Sequence, residues 1–357
     1  SDASATPAAR RVEGPGGAAV VAVSANGRVL AAAGADGGLR LWTLAGGDDP
    51  AVTKAGAVSG AEGKALRTVA LNPEGTVMVA AGAGGVLYGW DLRTPEHPRR
   101  LPQAPLSKAS ILGLTFSGDG RTLAVATGDG RVILYDVRPG GGNATLTAIG
   151  RPLAGTFRGS PVRAVALSPD GRTLAAAADT GRTQLWSLAD RARPRPVAAQ
   201  PPTGAVTSLT FSPDGRRVAA GSKDQVAYVW QVARPGTAPL RFEGAESPVS
   251  AVAFSPDGAR LAVGGADGRL RVHAVTARTA ARALTHAGPV TSAVYLRDGR
   301  TLVTGSADGV VRLWPVPGPG APGAPASRIC ALAGAPLHRQ EPERHLPDVP
   351  YVTPCRS

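Results

Sequence analysis

The sequence predicts an all-β protein, a seven-bladed β-propeller of four-stranded antiparallel blades with a Pro/Gly-rich C-terminal extension. Three observations lead to this prediction. The 357-residue chain contains seven similar units, each unit alternates short apolar runs with tight turns, and the composition is rich in Gly (47) and Pro (32) but poor in aromatic residues. A repeat of this kind is the signature of architectures in which each unit packs against its neighbours.

The repeat is visible at regular positions along the chain, with successive unit ends 41 to 51 residues apart. The units lie near 20–44, 66–92, 111–137, 162–188, 206–232, 249–275 and 290–316. They end at Trp42, Trp90, Tyr135, Trp186, Trp230, His273 and Trp314. We expect each unit to contribute one blade, with the aromatic residue near the blade end.

Each unit contains three strand-like runs separated by two turns. The first turn is an Asn-Gly, Glu-Gly or Asp-Gly pair, in which Gly supplies the positive φ that a tight hairpin requires. The second turn keeps Gly in six units and has Gln225 in the seventh. A fourth strand fits in the variable stretch before the next unit. Because one such sheet cannot bury both of its faces, the seven sheets are expected to pack face to face in a closed ring.

We expect the first strand of the chain to close this ring. Residues 8–13 occupy the place of an outer strand and are predicted to complete the blade formed by 290–316. The propeller then comprises residues 1–316. Residues 317–327 are so rich in Pro and Gly that they predict an extended linker, followed by a C-terminal tail at 328–357.

The units resemble the WD-repeat family. The family's Ser-Pro-Asp-Gly turn occurs at 168–171, 212–215 and 255–258, and its Trp-Asp ending occurs at 90–91. The resemblance implies a structural tetrad of His, Ser or Thr, Asp and Trp that is complete in the last unit alone, at His286, Ser306, Asp308 and Trp314. It also implies a non-enzymatic module that presents a rigid surface to protein partners.

The charge pattern offers one candidate binding surface. Lys and Arg number 39 against 26 Asp and Glu, a net charge of +13, but the arginines are spread along the chain and few aromatics are left for base stacking. We therefore expect no specific nucleic-acid binding. Five units carry Arg directly after the first turn, namely Arg28, Arg121, Arg172, Arg216 and Arg300. These side chains are either solvated charges beside turns or an anion-attracting face for an acidic segment or a phosphate-bearing ligand.

The sequence contains no motif for catalysis, a metal or a cofactor. The five His are scattered, and no Gly-x-Ser-x-Gly, Walker or Cys-x-x-Cys motif is present. His338, Glu341 and His345 lie close in sequence, but a solvated, Pro-interrupted segment is the better interpretation. The Asp residues of the turns occur once per unit and are interpreted as turn formers. We expect a protein that is not an enzyme and needs no cofactor.

The two cysteines, Cys330 and Cys355, stand near the two ends of the tail. A disulfide between them would close a loop of roughly 26 residues, stabilise the fold by about 3 kcal/mol and imply an oxidising compartment. The alternative is two separate thiols in a reducing cytosol. We therefore expect the extracytoplasmic side of a membrane-tethered protein if the bridge forms, and the cytoplasm otherwise.

The tail also resembles one that closes propeller domains in bacterial multidomain signalling NTPases, with an Arg-Ile-Cys start, Leu-Pro, Pro-Tyr and a final Cys. Because the chain starts at Ser1 and its one Met is Met78, we expect a piece of a longer protein. The resemblance implies the sensor arm of a nucleotide-switch protein. Alternatives are the targeting propeller of a Ser/Thr kinase and, in another class, a propeller enzyme such as a lactonase or hydrolase. No apolar run is long enough to span a membrane, and we expect a monomeric domain.

Overall fold

The computed structural model describes residues 9–316, apart from 18, 46–49, 57, 59–63, 103, 106–108, 139–143, 156, 158, 201–203 and 277–279. The predicted linker at 317–327, the tail at 328–357 and the expected Cys330–Cys355 disulfide lie outside the described residues. So does residue 8 of the predicted closing strand. Every regular element in the described part of the chain is a β-strand.

Strand β1 (Arg10–Glu13) opens the chain, and the strands that follow form blades in sequence order. Blade 1 contains β2 (Val20–Val23), β3 (Val29–Ala33), β4 (Leu39–Ala45) and β5 (Ala51–Lys54). Blade 2 contains β6 (Leu66–Leu71), β7 (Val77–Gly82), β8 (Val86–Asp91), β9 (Arg99–Arg100) and β10 (Ala104–Pro105). Blade 3 contains β11 (Ile111–Phe116), β12 (Thr122–Thr127), β13 (Val132–Arg138) and β14 (Thr145–Leu153).

Blade 4 contains β15 (Val162–Leu167), β16 (Thr173–Ala178), β17 (Thr183–Ser187) and β18 (Arg195–Gln200). Blade 5 contains β19 (Val206–Phe211), β20 (Arg217–Ser222), β21 (Ala227–Gln231) and β22 (Leu240–Phe242). Blade 6 contains β23 (Val249–Phe254), β24 (Arg260–Gly265), β25 (Arg269–Ala274) and β26 (Ala280–Thr285). Blade 7 contains β27 (Val290–Tyr295), β28 (Thr301–Ser306) and β29 (Val310–Pro315), with β1 as its outer strand.

This arrangement confirms the predicted seven-bladed propeller of four-stranded antiparallel blades. The outer strand of blade 2 is divided into β9 and β10, which both pair with β8. Between them, the backbone N–H of Leu101 donates to the carbonyl of Gly89 at 2.9 Å, so the ladder continues across the break.

The turns explain why these strands form where they do. The Gly of each first turn has a positive φ, for example 71° at Gly27 and 68° at Gly171. In the second turns, Gln225 takes over this role with a φ of 72°, the one positive φ among the described residues other than Gly. Because an L-residue adopts this conformation at a cost, the turn residues fix both the positions of the hairpins and the strand register.

The core lies between neighbouring blades rather than within one sheet. One cluster joins Ala31 and Leu41 of blade 1 to Met78 and Trp90 of blade 2. The second strands carry runs of fully buried alanine, as in 175–178 of blade 4, because these strands are covered on both sides. Small side chains let the sheets approach closely near the axis, which accounts for the low aromatic content.

Ring closure joins the two ends of the propeller. Strand β1 pairs with β29 over four residues, with Val12 opposite Val311. The Arg10 guanidinium then donates to the carbonyl of Pro50 in blade 1 at 3.0 Å. At the inner strands, the N–H of Ala19 donates to the carbonyl of Ser306 at 3.1 Å. Blade 7 is therefore assembled from both ends of the described chain.

Deletion of residues 1–13 tests this closure. Loss of β1 removes the ladder hydrogen bonds to β29 and uncovers apolar surface near Val12, so we expect the free energy of unfolding to fall by about 3 kcal/mol. Urea unfolding followed by Trp fluorescence measures it. Deletion of residues 1–8, which leaves β1 intact, is the matched control. Equal losses in both variants would contradict the closure.

Candidate interaction site

The seven inner strands surround a central channel of about 710 Å³. Each inner strand contacts the inner strands of the two adjacent blades, so that β2 follows β27 around the ring. The inner strands all run in the same direction along the channel, and the first turns therefore lie on one face. We call this the lower face, and the opposite face, where the inner strands begin, the upper face.

The first turns share a hydrogen-bonded module. In blade 4, the Ser168 hydroxyl donates to Asp170 at 2.5 Å and accepts from the N–H of Thr173 at 2.9 Å. The Asp170 carboxylate also accepts from the N–H of Arg172 at 3.0 Å. Equivalent pairs are Ser117 with Asp119, Ser212 with Asp214 and Ser255 with Asp257. These carboxylates hold the turns, as the sequence pattern indicated.

The module also sets the ionisation of its carboxylates. The hydrogen bond from the Ser168 hydroxyl, together with the N–H of Arg172, holds the pKa of Asp170 below its ordinary value. The Ser212 hydroxyl and the N–H of Arg216 lower the pKa of Asp214 in the same way. Both groups are ionised at neutral pH, and their charge is shared with backbone donors.

The five predicted arginines are placed by these turns on the lower face. The backbone N–H of each of the five donates to the turn side chain two residues earlier. All five side chains are exposed. Blades 2 and 6 carry Thr76 and Ala259 at this position, so the arginines form an incomplete ring.

In blade 7, the side chains of the predicted tetrad residues His286 and Trp314 are joined through a hydroxyl that is not part of the predicted tetrad. Trp314 Nε1 donates to Thr304 Oγ1 at 2.9 Å, and His286 Nε2 lies 2.8 Å from the same oxygen. His286 Nδ1 lies 3.1 Å from the carbonyl of Gly268, which can only accept. Burial lowers the pKa of His286, so the ring is neutral, Nδ1 carries the proton and the Thr304 hydroxyl donates to Nε2.

The hydroxyl between the two rings thus belongs to Thr304 and not to Ser306. Residues two apart in a strand face the same side, so the sequence pattern allows either Thr304 or Ser306 to lie between the rings. The structure shows that Thr304 occupies this position along β28. Ser306 instead donates to the carbonyl of Gly288 at 3.0 Å. Asp308 binds Arg312 Nη2 at 2.6 Å and the N–H of Val310 at 2.9 Å.

The predicted blade-end aromatics are all buried: Trp42, Trp90, Tyr135, Trp186 and Trp230. In blades 2 and 5 a Tyr two residues earlier stacks on the Trp, with centroids 6.4 Å apart at Tyr88 and 5.8 Å apart at Tyr228. Sequence reasoning missed these partners. The signal was present as Tyr two residues before Trp in both units.

The described residues contain no cluster of three or more His, Cys, Asp or Glu side chains that could hold a metal ion. No helix in this part of the chain is long and apolar enough to cross a lipid bilayer. The charged side chains among the described residues that line the channel are Arg67, Arg163 and Arg297. The rest of the lining is apolar or carries hydroxyl groups.

Closed seven-bladed propellers of this kind are a class of repeat protein with two faces and a rim open to partners. The family model described as WD domain, G-beta repeat matches residues 10–43, 102–136, 151–187, 197–231, 236–273 and 280–315. These segments cover more than half of the chain, which therefore belongs to the WD-repeat family. A comparison of the chain with curated proteins found no match.

The matched segments are offset from the blades. The segment 10–43 begins with β1 of blade 7 and continues through β2, β3 and β4 of blade 1. The stretch between residues 43 and 102, which contains most of blade 2, is unmatched, although its strands pair as in the other blades. The fold therefore extends beyond the sequence pattern that the family model detects.

Thr304→Val tests the buried connection in blade 7. The change keeps the side-chain shape but leaves Trp314 Nε1–H and His286 Nε2 without a partner, so we expect a loss of about 3 kcal/mol in the free energy of unfolding. Ser306→Ala removes the hydrogen bond to the carbonyl of Gly288 and a long one of 3.5 Å from the N–H of Asp308, and should cost about 1 kcal/mol. Urea unfolding of both variants measures the difference. A larger cost for Ser306→Ala would refute the connection through Thr304.

The turn carboxylates predict a dependence of stability on acid. Their pKa values are lower in the folded than in the unfolded chain, so their contribution is complete above the unfolded value of about 3.9 and is lost as the pH falls through the folded value. Asp170→Asn combined with Asp214→Asn keeps the acceptor oxygens. We expect this double variant to lose less unfolding free energy between pH 5 and pH 2 than the unmodified domain. If urea unfolding gave the same change in unfolding free energy between pH 5 and pH 2 for both proteins, this prediction would be wrong.

Proposed function

We propose that this chain is a non-enzymatic protein-interaction module. The observation that carries the proposal is its membership of the WD-repeat family, whose propellers typically bind protein partners. The architecture supports it physically. A closed ring buries the sheet faces between blades and leaves the two propeller faces and the rim as a preorganised surface, which reduces the entropy lost on binding. We further propose that the isolated domain is monomeric.

The lower face supplies the chemistry for an acidic partner segment. Its five exposed arginines follow the first turns. Beside Arg121, Arg172 and Arg216, the turn carboxylate already accepts hydrogen bonds from a Ser hydroxyl and a backbone N–H. The arginine side chains are exposed, and a guanidinium group matches a carboxylate with two parallel hydrogen bonds. An acidic segment lying across several blades would meet more than one of them.

The larger protein that this module serves is proposed to be a signalling protein of the nucleotide-switch type, with the propeller as its sensor arm. The similarity of residues 328–357 to tails of bacterial signalling NTPases supports this. A Ser/Thr kinase with a targeting propeller is the alternative. Sequencing the gene upstream of the Ser1 codon decides between them, since a Walker loop belongs to the first and a kinase Gly-rich loop with His-Arg-Asp to the second.

A propeller enzyme such as a lactonase or hydrolase is the rival from another class. Its reaction would need His, Glu or Asp side chains converging on the channel, or a metal held there. The described lining of the channel presents arginine, Ser, Thr and one Tyr, Tyr295, as its polar side chains, and no His, Asp or Glu, which favours binding over acid–base chemistry.

Partner capture tests the proposed function. The tagged domain is incubated with lysate of the source organism, treated with nuclease, washed at low and high salt, and its bound proteins are identified by mass spectrometry. We expect a stoichiometric protein that survives nuclease and high salt. Retention of only nuclease-sensitive or salt-labile material would contradict the proposal, because the basic surface would then be merely adhesive.

Charge reversal on the lower face tests where the partner binds. Arg172→Glu combined with Arg216→Glu should reduce the amount of retained partner at least tenfold, since two attractive contacts become repulsive. Arg182→Glu, an exposed change in the turn between β16 and β17 on the upper face, is the matched control and should retain the partner. If the double variant retained the partner as well as the unmodified domain does, the partner would bind elsewhere than on the lower face.

A further inference from the structure

The outer strand of blade 3 is longer than the outer strands of the other blades. Strand β14 has nine residues, whereas the longest of the others in the described part of the chain, β18 and β26, have six. It pairs with β13 on one side, and no described strand lies on its other side. An open edge of this length is a template for a further strand, and proteins ordinarily shield such edges with charges, proline or bulges.

The shielding of β14 is confined to its C-terminal end. Gly150, with a φ of 63°, begins a β-bulge in which residues 150–152 stand opposite one residue of β13. Arg151 and Pro152 complete this bulge. The preceding stretch 145–149, Thr-Leu-Thr-Ala-Ile, contains no charge, no proline and no register shift. We call these unshielded residues 145–149 the blade 3 edge.

The backbone of the blade 3 edge presents hydrogen-bonding groups outward at alternate residues. The N–H of Val137 donates to the carbonyl of Arg121 at 2.9 Å, so Val137 faces β12. Since successive residues of an antiparallel strand face opposite neighbours, the residues of β14 that bond to β13 are 145, 147 and 149. The N–H and C=O groups of Leu146 and Ala148 therefore point away from the blade, where an added strand would bind them.

The side chains of the blade 3 edge give an added strand apolar contacts on both of its faces. Leu146 packs against the cluster between blades 2 and 3, and Ile149 packs against the cluster between blades 3 and 4. Both are half-buried, whereas Thr145, Thr147 and Ala148 are exposed. β-branched side chains on an added strand would cover the exposed parts of Leu146 and Ile149. The edge therefore favours an uncharged segment of β-branched residues.

Two exposed arginines lie at the bulge end of this edge. A Cβ on Gly150 would lie 2.5 Å from a carbonyl oxygen of the loop between β17 and β18, so this loop of blade 4 passes beside the bulge. Arg151 and Arg193, next in sequence to the two residues of this contact, are exposed, and no described carboxylate forms an ion pair with either. At the other end of the edge, Arg138 is already paired with Asp136 at 2.6 Å. Negative charge on an added strand is thus favoured at the bulge end.

We propose that the blade 3 edge binds an extended segment of a protein partner as a fifth strand of the blade. The segment runs antiparallel to β14, as every strand pair in this blade does. Its N-terminal end then lies at the bulge, where an acidic residue meets Arg151 and Arg193, and uncharged β-branched residues follow along residues 145–149. This inference rests on the proposed function as an interaction module and adds a surface at the rim, apart from the lower-face arginines.

Fluorescence anisotropy with labelled peptides tests the edge and its polarity. The probe Glu-Ala-Val-Thr-Val-Thr, blocked at both ends, has the proposed polarity, and the reversed peptide Thr-Val-Thr-Val-Ala-Glu carries its acid at the opposite end. We expect the probe to bind the full 357-residue chain about fivefold more tightly than the reversed peptide, because its acid alone meets both Arg151 and Arg193. Equal affinities, or tighter binding of the reversed peptide, would overturn the proposal.

Ala148→Pro removes an outward N–H and keeps the ladder to β13 intact. It should weaken binding of the probe about tenfold, because one hydrogen bond is lost and the ring obstructs the added strand. Ala199→Pro in β18 is the matched control and should change the affinity less than about twofold. The N–H of Leu188 donates to the carbonyl of Arg172 at 2.7 Å, so by the same alternation the N–H of Ala199 points away from blade 4. Unchanged binding in Ala148→Pro, or equal loss in both variants, would contradict the site.

Arg151→Glu is a second test, which leaves the backbone of the edge unaltered. It should weaken binding of the Glu probe about fivefold and strengthen binding of a probe with Lys in place of Glu by a similar factor. Arg182→Glu makes the same charge change on the upper face and should leave both affinities within about twofold. If Arg151→Glu changed neither affinity, the acid of the probe would lie elsewhere and the site would be wrong. Circular dichroism confirms that each variant is folded.

Two further measurements separate this proposal from its alternatives. Sedimentation should show a monomer; a dimer that Ala148→Pro abolishes would mean that the edge binds a second copy of the chain, and the proposed partner would be wrong. If all variants bind the probe alike while the chain retains its captured partner, the edge is wrong and the interaction module stands. If the chain retains no partner and neither peptide binds, both are wrong.

Discussion

Closure of the ring is the constraint on which the rest of this structure depends. A four-stranded blade exposes apolar residues on both faces, and only a neighbour on each side can bury them. An open array would leave two terminal faces uncovered and would need capping repeats. Here the pairing of β1 with β29, the Ala19–Ser306 bond and the hydroxyl contacts of Thr207, Ser250 and Thr291 replace the caps.

Closure also determines how the exposed turns and bulges of the propeller are held. With the blade faces buried against each other, the turns on the lower face and the bulges at the upper mouth are held at fixed positions around the axis. The same small set of local motifs thus holds the fold and places the exposed arginines. Ser and Asp hold a turn that is followed by an exposed arginine. A β-bulge at the second residue of an inner strand either forms a hydrogen bond to the next blade, as at Thr207, or places an arginine at the channel, as at Arg67.

The features predictable from the sequence are those with strict local chemistry. The seven first turns were visible because Gly is needed for a positive φ, and the strands followed from the apolar runs between turns. Position along a strand was harder to predict. Thr304 and Ser306 share one face of β28, so only the packed position of His286 reveals which hydroxyl joins the two rings.

The upper mouth could not be predicted from the sequence for a related reason. A bulge changes the direction of one side chain without changing the apolar pattern around it, so Arg67 reads as an ordinary exposed residue of a strand. The stacked Tyr88 and Tyr228 could have been found, since each stands two residues before a Trp. Most of blade 2 lies outside the segments that the family model matches, yet its strands pair as in the other blades.

Hydrogen exchange of the intact chain, resolved by blade with mass spectrometry, tests the closed ring most directly. If closure makes the propeller one cooperative unit, the amides of the inner strands in blades 1 and 7 exchange with the same free energy of opening as those in blades 3 to 5. Markedly faster exchange in blades 1 and 7 under native conditions would show that the ring opens at this junction, and would contradict the account.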